Sequence, residues 1–266
     1  MKRNNNYLLT NSQYITLLRF WLLRDIKSRY AGSMFGVAWA LLQPCATLLV
    51  FYILFGKLLA MKLPGIDLEH GYLLYLLCGL AVWLPLSDAM GRGAGSLVAY
   101  EDFLRKQPIP AEILPLTSVG GTLVLQFLGY VAIMVVAYSQ GVLTPSVIWW
   151  LPLMMLAQII MTVGFTLLLS MASFLWRDLV SMMPFMMQIL FYCTPVVYPI
   201  DQVPHDLKWL FLANPVACMV MVLQSLVFQQ AIEVYWLLSM LFWMFSIGLG
   251  GWIFFKSMRP VLGEAL

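Results

Sequence analysis

The sequence predicts an all-α integral membrane protein with six transmembrane helices. Hydrophobic residues make up 62% of the 266 residues and charged residues only 10%, whereas a soluble domain has roughly 45–50% apolar and about 25% charged residues. The charges leave long uncharged runs, and a helix needs about 20 apolar residues to cross the hydrocarbon core. Basic residues lie near both ends of the chain, which indicates that both termini are cytoplasmic.

Seven apolar segments are candidates for a crossing, but seven crossings would place the termini on opposite sides of the membrane. The segment 209–232 is the weakest, because Asn214-Pro215 interrupts it and Gln229-Gln230 lies near its end. Irregular backbone at membrane depth must be buried in protein. We therefore expect a re-entrant hairpin, entered from outside, over about residues 198–232. The six spans are expected at residues 34–56, 71–92, 114–138, 149–174, 178–199 and 234–256.

This topology divides the chain into three parts. Residues 1–33 form a cytoplasmic N-terminal segment, residues 34–256 the transmembrane domain, and residues 257–266 a cytoplasmic tail. All basic residues except Lys57, Lys62 and Lys208 are then cytoplasmic. The first residues are polar and show no cleavage pattern, so no removable signal peptide is expected.

The segment from Tyr14 to Arg29 is expected to form an amphipathic helix in the inner interface. Its apolar residues share one stripe that would face the lipid, with cations towards the phosphates. Two interpretations of the cations remain open. They are either a positive-inside anchor, or Arg24, Lys27 and Arg29 bind an anionic lipid head group.

The inner end of the second span carries Asp88 and Arg92, which are four residues apart and can pair along one helix face. A structural ion pair is favoured, because the depth is shallow and the pairing local. Gly91, Gly93 and Gly95 do not fit a phosphate-loop pattern, and close helix packing explains them better.

The loop at about residues 100–112 is charged and contains two prolines, Pro108 and Pro110. It is either an ordinary solvated loop or a short helix that docks into the groove of a partner protein.

The sequence contains no catalytic or metal-binding motif. There is no HExxH, GxSxG or Walker loop, and the four cysteines show neither CxxC nor Cys/His spacing. We therefore expect no catalytic residue, no metal ligand and no nucleic-acid binding, and any uphill transport would take its energy from another chain.

Several motifs in order resemble those of ABC-2 type permeases for polysaccharide export, and the O-antigen and teichoic-acid branch is the most similar. The first runs from Leu23 to Tyr30 and continues from Gly36 to Pro44. The others are Pro108 to Pro115, Pro184 to Pro199, and Leu212 to Pro215. The resemblance extends over nearly the whole chain.

This resemblance implies an ABC-2, or type V, exporter fold and a homodimer of this permease with two separate ATPase subunits. ATP and Mg would bind those subunits, and this chain would hold no cofactor and hydrolyse no ATP. The complex would move a lipid-linked polysaccharide, an O-antigen-like glycan on a polyprenyl pyrophosphate carrier, across the bacterial cytoplasmic (inner) membrane.

The resemblance also implies roles for individual positions. The loop 100–112 would be a coupling helix, with ATPase contacts at Glu101, Asp102, Phe103, Arg105 and Lys106. Arg24, Lys27 and Arg29 would lie near the lipid entry. The hairpin at 198–232 would be an external gate, with the gate residues Pro195, Tyr198, Pro199, Asn214 and Pro215.

The second loop departs from the family pattern, which has more basic residues and an aromatic before the proline; here the sequence is Arg105-Lys106-Gln107-Pro108. The alternatives are a capsule or small-molecule exporter of the same topology, and a membrane enzyme that acts on lipid-linked sugars.

Overall fold

The computed structural model describes residues 11–29, 31–61, 63, 68, 70–107 and 109–265. The expectations for Lys62, Pro108 and Leu266, and for residues 1–10, lie outside these ranges. The described part contains no strand. Its α-helices are α1 (Asn11–Arg29), α2 (Trp39–Phe51), α3 (Gly71–Ala99), α4 (Glu101–Lys106), α5 (Ile113–Ser139), α6 (Pro145–Leu175), α7 (Asp178–Tyr192), α8 (Lys208–Leu212), α9 (Pro215–Val227) and α10 (Val234–Ala265).

Five helices in the described part are long and apolar enough to cross a bilayer. They are α2 with its π-helical continuation Tyr52–Leu58, and α3, α5, α6 and α10. The break expected between the third and fourth spans is confirmed, because α5 ends at Ser139 and α6 begins at Pro145. Gly141 adopts a φ of +71° in this turn, a conformation that costs glycine little.

The expected fifth span, 178–199, is wrong as a continuous helix. Helix α7 has 15 residues and ends at Tyr192, because Pro195 and Pro199 follow and cannot donate the backbone hydrogen bonds that would extend it. The segment 193–199 is non-helical. The expected coupling helix is also shorter than 100–112, since α4 covers only six residues.

The helix of the sixth expected span, 234–256, begins as expected at Val234. Helix α10 continues past residue 256 to Ala265 and includes Pro260. The tail 257–266 is therefore helical as far as the structure describes it, and the Nη1 of Arg259 lies 3.6 Å from a carboxylate oxygen of Glu112 at the start of α5.

Helix α3 is the centre of the bundle and packs against α5, α6, α7 and α9. Pro85 lies within it and lacks the N–H that would bond the Ala81 carbonyl one turn earlier. The Nε2 of Gln158, on α6, lies 3.2 Å from the Ala81 oxygen and 3.1 Å from the Val82 oxygen. Gln158 thus supplies the donor that the proline removes.

Helices α6 and α10 approach each other through glycines. A Cβ at Gly251 would lie 2.1 Å from the Gly164 carbonyl oxygen, and a Cβ at Gly164 would lie 2.2 Å from that of Ile247. Such small residues allow close backbone contact between membrane helices. Helix α2 differs, because none of its residues is buried in the described structure.

Candidate functional site

Helix α1 rests on α5, and two adjacent glycines make the contact possible. A Cβ at Gly120 would lie 2.3 Å from the Cδ1 of Leu22, and a Cβ at Gly121 would lie 1.9 Å from a nitrogen of Arg29. Ile15, at the start of the apolar stripe, is 63% exposed. The apolar stripe expected to face lipid therefore packs partly against protein, and this packing sets the positions of the α1 cations.

Arg29 is the most enclosed of these cations, with 8% of its side chain exposed. Its Nε donates to Asp25 Oδ2 at 2.8 Å and its Nη1 to Asp88 Oδ2 at 3.0 Å. Its Nη2 donates to the Ser118 carbonyl at 3.1 Å. The guanidinium thus joins α1 to α3 and α5, and each of its nitrogens has a partner.

Asp88 and Arg92 are hydrogen bonded along α3. The structure therefore contains the expected pair, but extends it: Asp88 Oδ2 also accepts from Arg29, so four charges from two helices form one cluster. The members alternate in sign, in the order Asp25, Arg29, Asp88 and Arg92.

A cavity of about 280 Å³ lies beside this charge cluster, between α1, the end of α3 and the start of α5. Its charged lining residues are Arg24, Asp25 and Arg92. The guanidinium carbon of Arg24 lies 4.6 Å from the Trp21 ring centroid and 5.5 Å from that of Tyr100, distances at which a cation is attracted to a ring. Lys27 is exposed and does not line the cavity.

Trp21 connects the cavity to α4. It is buried, and its ring centroid lies 5.2 Å from that of Phe103 and 5.3 Å from that of Tyr100. Phe103 therefore faces the bundle, whereas Asp102, Arg105 and Lys106 are exposed. Of the five residues expected to contact an ATPase, these three are on the surface of the described structure.

Glu101 ties α4 to the turn between α6 and α7. Its two carboxylate oxygens accept from Arg105 at 2.7 Å and from Arg177 at 2.6 Å. The hydrogen bond from Arg105, with the charges of Arg177 and Arg105, holds the pKa of Glu101 below its ordinary value against a smaller opposing effect of desolvation. This carboxylate is already engaged within the chain.

Three of the expected gate residues, Pro195, Tyr198 and Pro199, lie in the non-helical segment 193–199, which contacts the start of α3 at the other end of the bundle. The Asn214 side chain caps α9, accepting from the Val216 and Ala217 amides, and donates to the Cys193 carbonyl at 2.9 Å. Pro215 stands at the first position of α9, where its fixed φ suits a helix start. Asn214 therefore joins the start of α9 to the start of the segment 193–199.

Two tyrosines that the sequence reasoning missed hold the same segment. The Tyr75 hydroxyl donates to the Tyr198 carbonyl at 2.7 Å and lies 3.0 Å from the Pro195 carbonyl. The Tyr72 hydroxyl donates to the Val197 carbonyl at 2.7 Å, and the Tyr198 hydroxyl donates to the Tyr192 carbonyl at 2.7 Å. A non-helical segment with two prolines has carbonyls that lack backbone donors, so they need side-chain donors. The two prolines were therefore the sequence signal that could have led to these tyrosines.

Among the described residues, no cluster of three or more His, Cys, Asp or Glu side chains could hold a metal ion. Two of the three charged residues that line the cavity, Arg24 and Arg92, are arginines, and the neighbouring helix α4 carries exposed charges.

Comparisons with known proteins identify the family. Residues 16–228 match the model of the ABC-2 type transporter family. The chain is 28% identical over 225 residues to the O-antigen export system permease protein RfbA of Klebsiella pneumoniae, with 83% of this chain and 81% of the relative covered.

Two further relatives are similar over most of their length. Identity to RfbA of Myxococcus xanthus is 29% over 222 residues, covering 82% of each chain. Identity to the polysialic acid transport protein KpsM of Escherichia coli is 23% over 203 residues, covering 73% of this chain and 74% of the relative. The chain is a multi-pass membrane protein and belongs to the ABC-2 type transporter family.

Proposed function

We propose that this chain is the permease subunit of an ATP-driven exporter that moves a lipid-linked polysaccharide out across the bacterial cytoplasmic membrane. The observation that carries the proposal is the similarity over four fifths of the chain to permeases named for O-antigen export. The glycan is attached to a polyprenyl pyrophosphate carrier.

The complex is a homodimer of this permease with two ABC ATPase subunits, which bind ATP and Mg. Both termini are cytoplasmic, so α1 and α4 lie on the cytoplasmic side. Six spans cross the membrane, with α7 and the segment after it completing the fifth. The region 198–232, including α8 and α9, is an external re-entrant hairpin, which is supported by the burial of nine residues of α9 within the bundle.

The transport route begins at α1. The pyrophosphate of the carrier meets the cations Arg24, Lys27 or Arg29, because clustered cations at the membrane surface attract phosphate. The glycan then passes through a channel at the dimer interface, and the hairpin residues Tyr198 and Asn214 belong to its outer gate.

Helix α4 couples ATP binding to this movement. Asp102, Arg105 and Lys106 are exposed and contact the ATPase, while Phe103 packs against Trp21 of α1. Motion of α4 is thereby passed to the helix that carries the arginines.

Deletion of the gene in its host tests the function. The expected result is accumulation of a lipid-linked glycan on the cytoplasmic side and its loss from the cell surface, with both restored by the wild-type gene. Unchanged surface glycan in the deletion strain would refute polysaccharide export.

The coupling role has its own test. Simultaneous replacement of Asp102, Arg105 and Lys106 by alanine is expected to abolish copurification of an ATPase with the permease. The matched control replaces the exposed or half-exposed charges Asp201, Asp206 and Lys208 at the other end of the bundle, and it should keep the ATPase. Normal copurification with the α4 variant would contradict coupling through these residues.

The similarity to the polysialic acid transport protein supports a second candidate, export of a capsule-type polysaccharide. Chemical analysis of the glycan accumulating in the deletion strain distinguishes the two. A catalytic activity of the purified chain on lipid-linked sugars, without any ATPase, would favour a membrane enzyme instead.

A further inference from the structure

Not all cations near α1 are equally available to a ligand. Each guanidinium nitrogen of Arg29 already donates to a partner within the chain, and only 8% of its side chain is exposed. A phosphate that bound Arg29 would have to displace a carboxylate or the Ser118 carbonyl. Arg29 therefore supports the cavity and does not bind the ligand, so that Arg24 is the only one of the three α1 cations named above that lines the cavity.

Arg92 differs from Arg29 in this respect. It lines the cavity and remains 34% exposed, and its Nε is buried without a hydrogen-bond partner among the described residues. A buried donor without a partner is costly. Arg92 is thus held in place by Asp88 and still has an unused donor.

Arg24 is the second available cation. Its guanidinium lies over Trp21 and near Tyr100, without an ion pair in the described structure. Aromatic contacts position a guanidinium and leave its edge N–H groups free to donate. With Arg24 included, the charge cluster carries one excess positive charge, because the other four members cancel.

Of the three glycines near the end of α3, Gly91 and Gly95 border the cavity and Gly93 does not. A Cβ at Gly93 would lie 2.1 Å from Thr166, so this glycine serves close helix packing as expected, whereas a Cβ at Gly91 would meet no atom within 4 Å.

We propose that Arg24 and Arg92 form a phosphate-binding pocket in this cavity, which Arg29 and Asp88 hold in shape. A phosphate oxygen binds the exposed part of the Arg92 guanidinium, and a second oxygen binds Arg24. The assignment of this phosphate to the pyrophosphate of a lipid carrier rests on the proposed function. The chemistry itself suits any phosphate group.

The test uses the purified full-length permease in phosphatidylcholine nanodiscs. Binding is measured for three probes: inorganic pyrophosphate, a polyprenyl pyrophosphate, and phosphatidylglycerol added to the disc. Arg24→Gln and Arg92→Gln are each expected to weaken binding about 10-fold or more, because charge-assisted hydrogen bonds to phosphate are lost. Arg19→Gln is the matched control, since Arg19 is an exposed arginine of α1 outside the cavity lining.

The probes distinguish the source of the phosphate. A loss for both pyrophosphates assigns the pocket to a pyrophosphate group, and a loss for phosphatidylglycerol alone assigns it to membrane phospholipid. Equal binding by wild type and Arg92→Gln for all three probes would overturn the pocket. So would an equal loss in Arg19→Gln, because the effect would then be one of overall charge.

A second variant keeps both arginines and fills the space. Gly91→Leu is expected to weaken binding at least about 10-fold, whereas Gly250→Leu, a helix glycine with equally open surroundings on α10, should bind normally. Unchanged binding in Gly91→Leu would place the ligand outside the cavity. Since these measurements need no export, the pocket can be refuted while the gene deletion still supports a role in glycan export, and the export role can be refuted while the pocket binds phosphate.

Discussion

The middle of α3 and its C-terminal end both carry polar groups in an apolar bundle, but they are completed differently. At the middle, Gln158 is fully buried; its amide donates to the Ala81 and Val82 carbonyls, and its oxygen accepts from Tyr130 at 3.0 Å. At the C-terminal end, Arg92 borders a cavity and has a donor without a partner. The first arrangement is closed and structural, whereas the second leaves capacity for a ligand.

The sharpest test of this comparison is Arg29→Met, which has the largest expected effect. The substitution removes the buried cation that binds Asp25, Asp88 and the Ser118 carbonyl. Breaking a fully buried pair costs roughly 3–5 kcal/mol, and the cost is lower here because the two carboxylates are 25% and 36% exposed. Thermal unfolding in detergent should show a strongly lowered midpoint and little folded protein. Arg19→Met, on the exposed side of the same helix, should unfold like the wild type. An unaltered midpoint for Arg29→Met would mean that Arg29 is not a structural support.

Gln158→Leu tests the buried hydrogen bonds at the middle of α3 and should have the next largest effect on stability. The Ala81 carbonyl would lose the donor that compensates for Pro85, and leaving buried polar groups unpaired costs about 1–3 kcal/mol. Thr162→Val is the local control, because the Thr162 hydroxyl only donates to a carbonyl of its own helix, that of Gln158, at 2.7 Å. The midpoint of thermal unfolding should be clearly lowered in Gln158→Leu and little changed in Thr162→Val.

Tyr130→Phe combined with Gln158→Leu refines this test. The two residues share one hydrogen bond, so the double variant should lose less stability than the sum of the single variants. Strict additivity would show that the Tyr130 contact contributes nothing.

Arg92→Gln should change stability less than either Arg29→Met or Gln158→Leu. Its pair with Asp88 is about one third exposed on both sides, and such pairs contribute about 0–1 kcal/mol. A nearly unchanged unfolding midpoint, together with the loss of phosphate binding, would separate a ligand-binding arginine from a structural one. A midpoint as low as that of Arg29→Met would show that the two arginines have the same role.

The sequence predicted the helical fold and the pair of charges on α3 because hydropathy and charge are local properties. Asp88 and Arg92 were paired correctly since they are four residues apart on one helix. Arg29 was not linked to Asp88, because 59 residues separate them and only the packing of α1 on Gly120 and Gly121 brings them together. The end of α7 was misplaced for a similar reason: Pro195 ends the helix, but only Tyr75 and Asn214 show how the following carbonyls are satisfied.

The smallest expected effect is that of the exposed ion pairs of α4, which Glu101 forms with Arg105 and Arg177. Because the pKa of Glu101 is lowered in the folded protein, its contribution is present above the ordinary glutamate pKa and is lost as the pH falls through the lowered value. Helix α4 should then separate from the turn at Arg177. Since Arg177 is 67% exposed, salt should weaken the same contact.

Spin labels at Asp102→Cys and Trp176→Cys, with Cys45 and Cys193 replaced by serine, measure this separation. The distance should be narrowly distributed at neutral pH and broaden only below the ordinary glutamate range, whereas in Glu101→Gln it should be broad at every pH. A wild-type distribution that ignores both pH and salt would show that the packing of Phe103 on Trp21 holds α4 without help from Glu101. In that case the aromatic contact of Phe103 with the buried Trp21, not the ion pairs, would be the connection that holds α4 to α1.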